Sequence, residues 1–504
     1  MVYLVGAGPG DPGLITVRGL ALLEQADVVV HDALANPKLL EHVRRDCLVI
    51  DAGKRARRHK LSQDQINATL ADHAAAGRSV VRLKGGDPYV FGRGSEEAIY
   101  LHERGIGIEV VPGITAAIAA AAYAGIPVTH RGVATTCTFV TGHEDPTKPD
   151  AQTDYPTLGR LVQQGGTVCL YMAVGRLAEI AAAFVEAGCE PATPAALVQW
   201  GTLATQRSVR ATLADLPSRV AEAGLGAPAI VVVGPVAGLD ARALSFFEDR
   251  PLFGRTIVVT RTRQQASDLS AGLAALGANV IEAPTIRIDP PDDWAPIDKA
   301  LADLGGYDWL VLSSANGVTA LAEGLERLGR DSRALAGVSI AAVGPATAAA
   351  LREHLGVAPD CVPQRFVAEG LADELVERGE VAGRRLLLLR ADIARPLLVD
   401  RLVEAGGDVT DLPVYHTRRV DALDDALIEA LRERRVDWLT FTSSSTARNF
   451  VDLLGDRATL NSVKIASIGP KTTATLEQLG LRVSVEADPH DIGGLIEAVV
   501  AAEG

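Results

Sequence analysis

The sequence predicts an α/β protein with largely parallel sheets, and three observations carry that expectation. Short Val, Ile and Leu runs alternate with Ala-rich helical stretches along the whole chain, as strands buried between helices require. Glycine-rich loops follow several of the apolar runs, at the strand ends where open α/β sheets take ligands. From about residue 255 onward the chain then repeats its own pattern at a fixed spacing. A length of 504 residues with 48% hydrophobic content fits roughly two to four folded domains.

Composition narrows the function. A net charge of −14 argues against a general nucleic-acid binder, while leaving room for local basic pockets that face an acidic small molecule. The five cysteines (Cys47, Cys137, Cys169, Cys189, Cys361) are scattered and form no C-x-x-C pair, so neither a disulfide framework nor a metal site is indicated. The first strand starts at residue 2, which leaves no room for a signal peptide, and no apolar run reaches the roughly 18 residues that span a bilayer. A cytoplasmic protein without membrane segments is expected.

A strand over residues 2–5 runs into Gly6-Ala7-Gly8-Pro9-Gly10-Asp11-Pro12-Gly13, and a helix is expected over 14–26. Gly8, Gly10 and Gly13 satisfy the G-x-G-x-x-G spacing, and Asp32 follows the next strand, 28–30, where a dinucleotide site keeps its ribose-binding acid. That spacing reads as NAD. The loop chemistry reads otherwise: a pyrophosphate needs free backbone N–H groups at a helix start, and Pro9 and Pro12 each remove one. A carbonyl-rich loop suits a cationic or neutral ligand, with an unliganded glycine turn as the plain alternative.

Residues 47–51 form the next strand, followed by Lys54-Arg55-Ala56-Arg57-Arg58-His59-Lys60, either a solvated loop or a clamp for carboxylates. A strand over 79–83 ends in Lys84-Gly85-Gly86-Asp87-Pro88, and another over 109–111 leads through Pro112-Gly113 into an Ala-rich helix within 114–128. Three glycine loops after three strands therefore converge on one face. Beyond a polar loop at 145–155, strands within 165–174, 194–200 and 229–234 build a second subdomain.

The stretches 5–16, 81–97, 111–131 and 140–143 resemble the uroporphyrinogen-III C-methyltransferase family, of the tetrapyrrole methyltransferase fold, across residues 1–240. Ser95 stands where that family usually has glycine. The resemblance implies two subdomains, about 1–112 and 113–240, and S-adenosyl-L-methionine as cofactor, a sulfonium cation without phosphate. It places the cofactor contacts at Pro9, Gly85, Gly86, Asp87, Val90, Thr115, Ala116, Met172 and Gly201. It further implies an acid/base pair, Asp32 and Lys54, and a role for Arg55 and Arg93 toward substrate carboxylates. Taken singly, Met172 reads as core packing, Gly201 as a turn, Asp32 as a helix cap and Lys54 as a propionate ligand.

Residues 241–254 break the pattern and read as a linker. After it, Val258-Val259-Thr260-Arg261 answers Leu387-Leu388-Leu389-Arg390, Pro284 answers Pro413, and Asp308-Trp309-Leu310 answers Asp437-Trp438-Leu439, always 129 residues apart. The offset slips to 125 between Gly344-Pro345 and Gly469-Pro470. A duplicated α/β unit is expected, with a cleft whose helix starts and arginines suit carboxylates. The motifs Ser313-Ser314-Ala315-Asn316-Gly317-Val318, Pro413-Val414-Tyr415-His416-Thr417 and Ile468-Gly469-Pro470-Lys471-Thr472-Thr473 resemble uroporphyrinogen-III synthase. That resemblance implies cofactor-free closure of hydroxymethylbilane with inversion of the last pyrrole. Tyr415 would assist loss of the hydroxyl, and Arg261, Ser314, Asn316, Arg390, Ser443 and Thr472 would bind substrate. Without it, the hydroxyls read as helix caps and Tyr415 as packing at a lobe junction. It also implies interleaved lobes, 255–287 plus 416–504 and 288–415.

The two resemblances support each other, because the second half's product is the first half's substrate. The expectation is a two-subdomain methyltransferase followed by a two-lobed synthase, making precorrin-2 on the route to sirohaem and cobalamin. Its partners are small-molecule tetrapyrroles, with no nucleic acid and no membrane, and a homodimer through the first half is left open. The rival readings are an NAD-dependent oxidoreductase in the first half and a non-catalytic binding module in the second.

Overall fold

Among the described residues, the apolar runs become twenty strands in four sheets. The computed structural model describes residues 1–44, 46–53, 61–142, 153–260 and 263–504, with 263–267 as backbone only. The first sheet holds β1 (Val2–Gly6), β2 (Val28–His31), β3 (Leu48–Asp51), β4 (Val80–Lys84) and β5 (Ile108–Val111) in the order β3-β2-β4-β1-β5, all parallel. Strands β1, β2 and β4 are almost wholly buried, which accounts for the predominance of Val and Leu in them, Arg82 and Lys84 of β4 standing out as buried charges.

The first helix is shorter than the expected 14–26. Residues Pro12–Leu14 form a single 3₁₀ turn capped by Asp11, and the α-helix runs from Val17 to Gln25 with the Thr16 hydroxyl accepting from Gly19 N. Thr16 occupies the helix N-terminus itself, so the glycine loop does not deliver that terminus to a pyrophosphate. The Ala-rich helix is likewise confined to Ala116–Tyr123 and ends where Gly125 turns to φ +68°.

The second sheet contains β6 (Cys137–Thr141), β7 (Thr167–Tyr171), β8 (Pro194–Gln199), β9 (Arg207–Thr212) and β10 (Ala229–Val233) in the order β6-β7-β10-β8-β9. Only β6 and β7 pair in parallel; every other contact is antiparallel. The parallel expectation fails for this sheet because β8 and β9 are joined by a short turn with no crossover helix. Strand β9, Arg-Ser-Val-Arg-Ala-Thr, is an edge strand too polar to announce itself in the sequence.

The second half supplies β11 (Thr256–Val259), β12 (Asn279–Glu282), β13 (Ile286–Asp289), β14 (Trp309–Leu312), β15 (Ser339–Ala342), β16 (Arg385–Ala391), β17 (Asp408–Arg419), β18 (Trp438–Phe441), β19 (Lys464–Ser467) and β20 (Val485–Glu486). They form two sheets, β12-β11-β18-β19-β20 and β13-β17-β16-β14-β15. Shifted by the two sequence offsets, β11, β12, β18 and β19 fall on β16, β17, β14 and β15, and the spatial order is the same in both sheets. Pairing register is kept as well: Ile257 faces Trp438 as Trp309 faces Leu386. Even the strand-start brace recurs, with Asp437 accepting from Thr256 N and Asp308 from Arg385 N. The chain crosses between the sheets twice, and the two crossing segments pair antiparallel, with Ile288 opposite its own repeat partner Thr417.

Residues 241–254 are not a bare tether. They hold a short helix, Ala241–Leu244, and then Phe246 and Phe247, whose rings lie 5.2 and 4.7 Å from Tyr123, while Leu252 is fully buried against β11 and its neighbours. Among the described residues, no helix is long and apolar enough to cross a membrane.

Candidate active sites

At the C-terminal ends of β1, β4 and β5 three backbones approach closely enough to require glycine. A Cβ on Gly113 would sit 2.2 Å from the Gly86 carbonyl, and one on Gly6 would sit 2.5 Å from Gly113 Cα. Gly8 and Gly86 exchange backbone hydrogen bonds of 3.2 and 2.7 Å. Asp87 joins the loops further: its Oδ1 accepts from Tyr89 N and Val90 N, and its Oδ2 accepts from Gly113 N at 3.0 Å. From the second sheet, the turns after β7 and β8 face these loops. Gly201 lies so near the Ala-rich helix that a Cβ would meet Ala120 Cβ at 2.3 Å.

Between them lies a cavity of about 430 Å³. Pro9, Gly85, Gly86, Asp87, Val90, Thr115, Ala116, Met172 and Gly201 all line it, joined by Leu34, Phe91, Tyr171 and Trp200. Its rim is strained. Phe91, Met172 and Trp200 hold φ between 50 and 53°, with Arg93 at 58° and Thr202 at 71° beside them, five of six such non-glycine residues among those described. Each costs about 1–3 kcal/mol and is kept by its surroundings, a cost that concentrates at functional sites. Tyr171 is one restraint: its Oη accepts from Ala117 N at 2.9 Å and lies 2.5 Å from Thr115 Oγ1. Burial pushes that phenol up and keeps it neutral, against the opposing pull of Thr115 and Ala117.

Asp32 ends a buried charge chain. Its Oδ1 is 2.5 Å from Arg82 Nη2; Arg82 Nε and Lys84 Nζ both donate to Glu97 Oε1, at 3.1 and 3.0 Å. Arg82, Lys84 and Glu97 are 2% exposed or less, whereas a third of the Asp32 side chain reaches solvent. Burial works against the Arg82 charge, but Asp32 and Glu97 outweigh it and leave the guanidinium more firmly protonated. Burial lowers Lys84, with Arg82 adding to the effect. Two cations and two anions balance, so removing any one would strand a buried charge. Lys54 and Arg55 lie outside the described residues. Arg93 is exposed and paired with Glu96 at 2.8 Å, a surface pair worth under about 1 kcal/mol that a ligand carboxylate can replace.

The second half gathers some of its expected residues and separates others. Tyr415 Oη lies 2.9 Å from Ser314 Oγ, which also caps the helix Ala315–Arg327 by accepting from Gly317 N. Burial raises the Tyr415 phenol, partly offset by hydrogen bonds from Ser314 and Asn316, so it remains an O–H donor at neutral pH. Tyr415 and Asn316 line a second cavity of about 390 Å³ with Arg287, Asp289 and Glu323. Next to Tyr415, His416 is held by Asp392 at 2.8 Å and Asp292 at 3.2 Å. Ser443 and Thr472 belong instead to the sheet of β18 and β19, Ser443 as the cap of Ser444–Leu454 and Thr472 buried in Pro470–Gln478. Arg390, expected to bind substrate, is engaged within its lobe: Asp411 grips it with two 2.6 Å contacts and the Ala394 carbonyl takes a third donor. The neighbouring strand supplies that carboxylate, a pairing invisible in sequence. Arg261 lies outside the described residues.

Residues 1–217 match the family of Tetrapyrrole (Corrin/Porphyrin) Methylases, and residues 267–497 match Uroporphyrinogen-III synthase HemD. Over the whole chain, and 98% of the relative, the sequence is 36% identical to a porphyrin biosynthesis protein HemD of Ruminiclostridium josui. The chain belongs to this family of joined tetrapyrrole methylases and uroporphyrinogen-III synthases. It is an α/β enzyme of tetrapyrrole biosynthesis with a methylase half and a synthase half. The methylase half is also similar to a uroporphyrinogen-III C-methyltransferase of Bacillus subtilis (strain 168), 45% identical over 57% of this chain and 59% of that protein. A solved uroporphyrin-III C-methyl transferase of Thermus thermophilus, complexed with S-adenyl homocysteine, aligns at 36% identity over 47% of this chain and 99% of its own, with a TM-score of 0.40.

Several residues escaped the sequence reading of the methylase half. Arg82 and Lys84 alternate with Val and Leu in β4, and two charges inside an apolar strand are the one signal that marked them. Glu97 carried none, being one of two adjacent glutamates at a helix start. In the synthase half, Asp392 reaches His416 across the β16–β17 pair and was equally hidden.

Proposed function

We propose that the synthase half closes hydroxymethylbilane to uroporphyrinogen III with inversion of the last pyrrole. The methylase half then methylates that product twice with S-adenosyl-L-methionine, giving precorrin-2 for sirohaem and cobalamin. The proposed units are 1–240, in two parts about each sheet, the connector 241–254, and 255–504 as interleaved lobes; strand membership of the sheets supports this division.

One observation carries the reading of the first half. The nine residues that the family resemblance singles out from six separate places in the chain line one cavity, whose glycines leave no room for side chains and whose prolines withhold donors. Such a cavity fits a donor with a sulfonium and no phosphate. When bound, that donor supplies an electrophilic methyl group. Thr115, Met172 and the Gly85–Gly86 turn orient it, so that positioning does most of the catalytic work. Asp32, held by Arg82, takes the proton that the methylated macrocycle loses, with Lys54 as its partner. In the second half, Tyr415 gives a hydrogen bond to the departing hydroxyl while Ser314 and Asn316 hold the phenol.

The test feeds the full chain hydroxymethylbilane and S-adenosyl-L-methionine and weighs the product. Uroporphyrinogen III carrying two added methyl groups is expected. Failure to bind S-adenosylhomocysteine sinks the methylation, and formation of only the uninverted ring isomer sinks the synthase assignment. Replacing Asp32→Asn should slow methylation about 10²-fold while leaving cofactor affinity intact.

A further inference from the structure

The segment that joins the halves reaches the first cavity by two routes that meet at Asp11. Along the first, Glu248 Oε1 accepts from Gln206 Nε2 at 2.7 Å and from Ser208 Oγ at 2.9 Å. Gln206 Oε1 accepts from Thr202 N at 2.8 Å, and Thr202 Oγ1 accepts from Asp11 N at 2.9 Å. Gln206 and Thr202 are each 3% exposed, and Thr202 is one of the residues with left-handed backbone. Trp200, Gly201 and Leu203 around it line the cavity, as does Pro9 two residues before Asp11. Along the second route, Phe246 and Phe247 pack on Tyr123, whose Oη donates to Asp11 Oδ2 at 2.9 Å. Burial first, and the Asp11 bond second, push the Tyr123 phenol up to about 12, so it stays a donor.

The far end of the segment is anchored equally well. Phe247 meets Phe253 edge-to-face with centroids 5.3 Å apart, Arg250 lies over the Phe247 ring, and Leu252 N donates to the Leu276 carbonyl of the synthase half. Neither the fold of the methylase half nor the cavity lining explains why a carboxylate outside both should fix the side chain that holds Thr202 in a strained turn.

We propose that Glu248 is a positioning residue for the methyl-donor cavity, acting through Gln206 and Thr202 on the Gly10–Asp11 loop and tying donor affinity to the junction with the synthase half. The proposal rests on the cavity being the S-adenosyl-L-methionine site. Without Glu248 the Gln206 amide loses its restraint, Thr202 relaxes toward ordinary backbone, and the wall formed by Trp200, Gly201 and Leu203 shifts against Pro9.

Titration calorimetry of the full chain with S-adenosylhomocysteine tests it. Glu248→Ala should weaken binding about five- to tenfold, with the donor KM rising in step and kcat at saturation changing less than about twofold. Glu248→Gln, which keeps an acceptor for Gln206, should recover most of the affinity. A merely structural role would lower the number of binding-competent molecules and leave their Kd unchanged, and a folded Glu248→Ala with wild-type Kd overturns the proposal. Should that variant not fold, Ser208→Ala, which removes the other donor that holds the Glu248 carboxylate, is read the same way: a Kd weakened about threefold supports it and a wild-type Kd overturns it. If wild type itself fails to bind, the cofactor reading falls, a result distinct from either.

Discussion

Where Tyr415 meets Ser314 and Asn316 in one lobe of the synthase half, the 129-residue offset puts Ser443 and Ser445 in the other, while Tyr415 itself is answered by Ile286 on the first crossing segment. Scaffold and cap are common to both: Ser314 accepts from Gly317 N, and Ser443 accepts from Thr446 N, at equivalent helix starts. In the second lobe, however, the Ser443 hydroxyl spends its remaining contacts on Ser445 and Thr446, at 3.1 and 2.6 Å, whereas Ser314 turns toward a buried phenol. Duplication therefore preserves what builds a helix start, and the reactive group comes from the crossing segment, which is aromatic in only one copy. A helix-start hydroxyl is a candidate ligand only when another element brings it something to act with.

The largest expected effect comes from removing that group. Tyr415→Phe should slow ring closure by about 10²–10³-fold in a stopped assay for uroporphyrinogen III, with little change in thermal stability. A wild-type rate would leave the two lobes chemically equal. Next, Ser314→Ala and Ser443→Ala should each cost about 1 kcal/mol by denaturant unfolding, as lost caps do. Only Ser314→Ala should also slow the reaction, by roughly tenfold, through the loosened phenol. Equal losses of activity would show that both lobes hold substrate. The smallest effect is on pH dependence. Tyr415 titrates higher folded than unfolded, so its stabilising contribution is complete below the unfolded tyrosine value of about 10 and is lost as pH rises through the folded one. Unfolding free energy should thus fall above about pH 10, less steeply in Tyr415→Phe than in wild type.

The repeat was legible in the sequence because strand positions leave a period in apolar residues, and β14 with β18 keeps it to the residue. The glycine loops of the first half were legible because glycine and proline act locally, deleting side chains and donors wherever they stand; Val90, Thr115 and Met172 were marked by the family resemblance alone. The antiparallel sheet was not, since an apolar run reads the same in either direction. Nor were the charge pairs: Arg390 could have faced a ligand, and only the β16–β17 register shows Asp411 taking it, as only the fold carries Glu97 to Arg82 and Lys84. Residue type announces capacity, and long-range neighbours decide its use.

The double crossing between the sheets of the synthase half has a consequence for synthesis. Strands β13 to β17 are contiguous, so their lobe can close as soon as residue 419 has emerged from the ribosome. The other lobe cannot: Ile257 is made early, and its partner Trp438 arrives only after the whole intervening lobe. Closing that separation carries the larger entropic cost and the slower step, and until then β11 offers an open edge with β12 on one side alone. The interval in which this edge is bare, rather than any property of the finished enzyme, is when the chain is most open to wrong pairing.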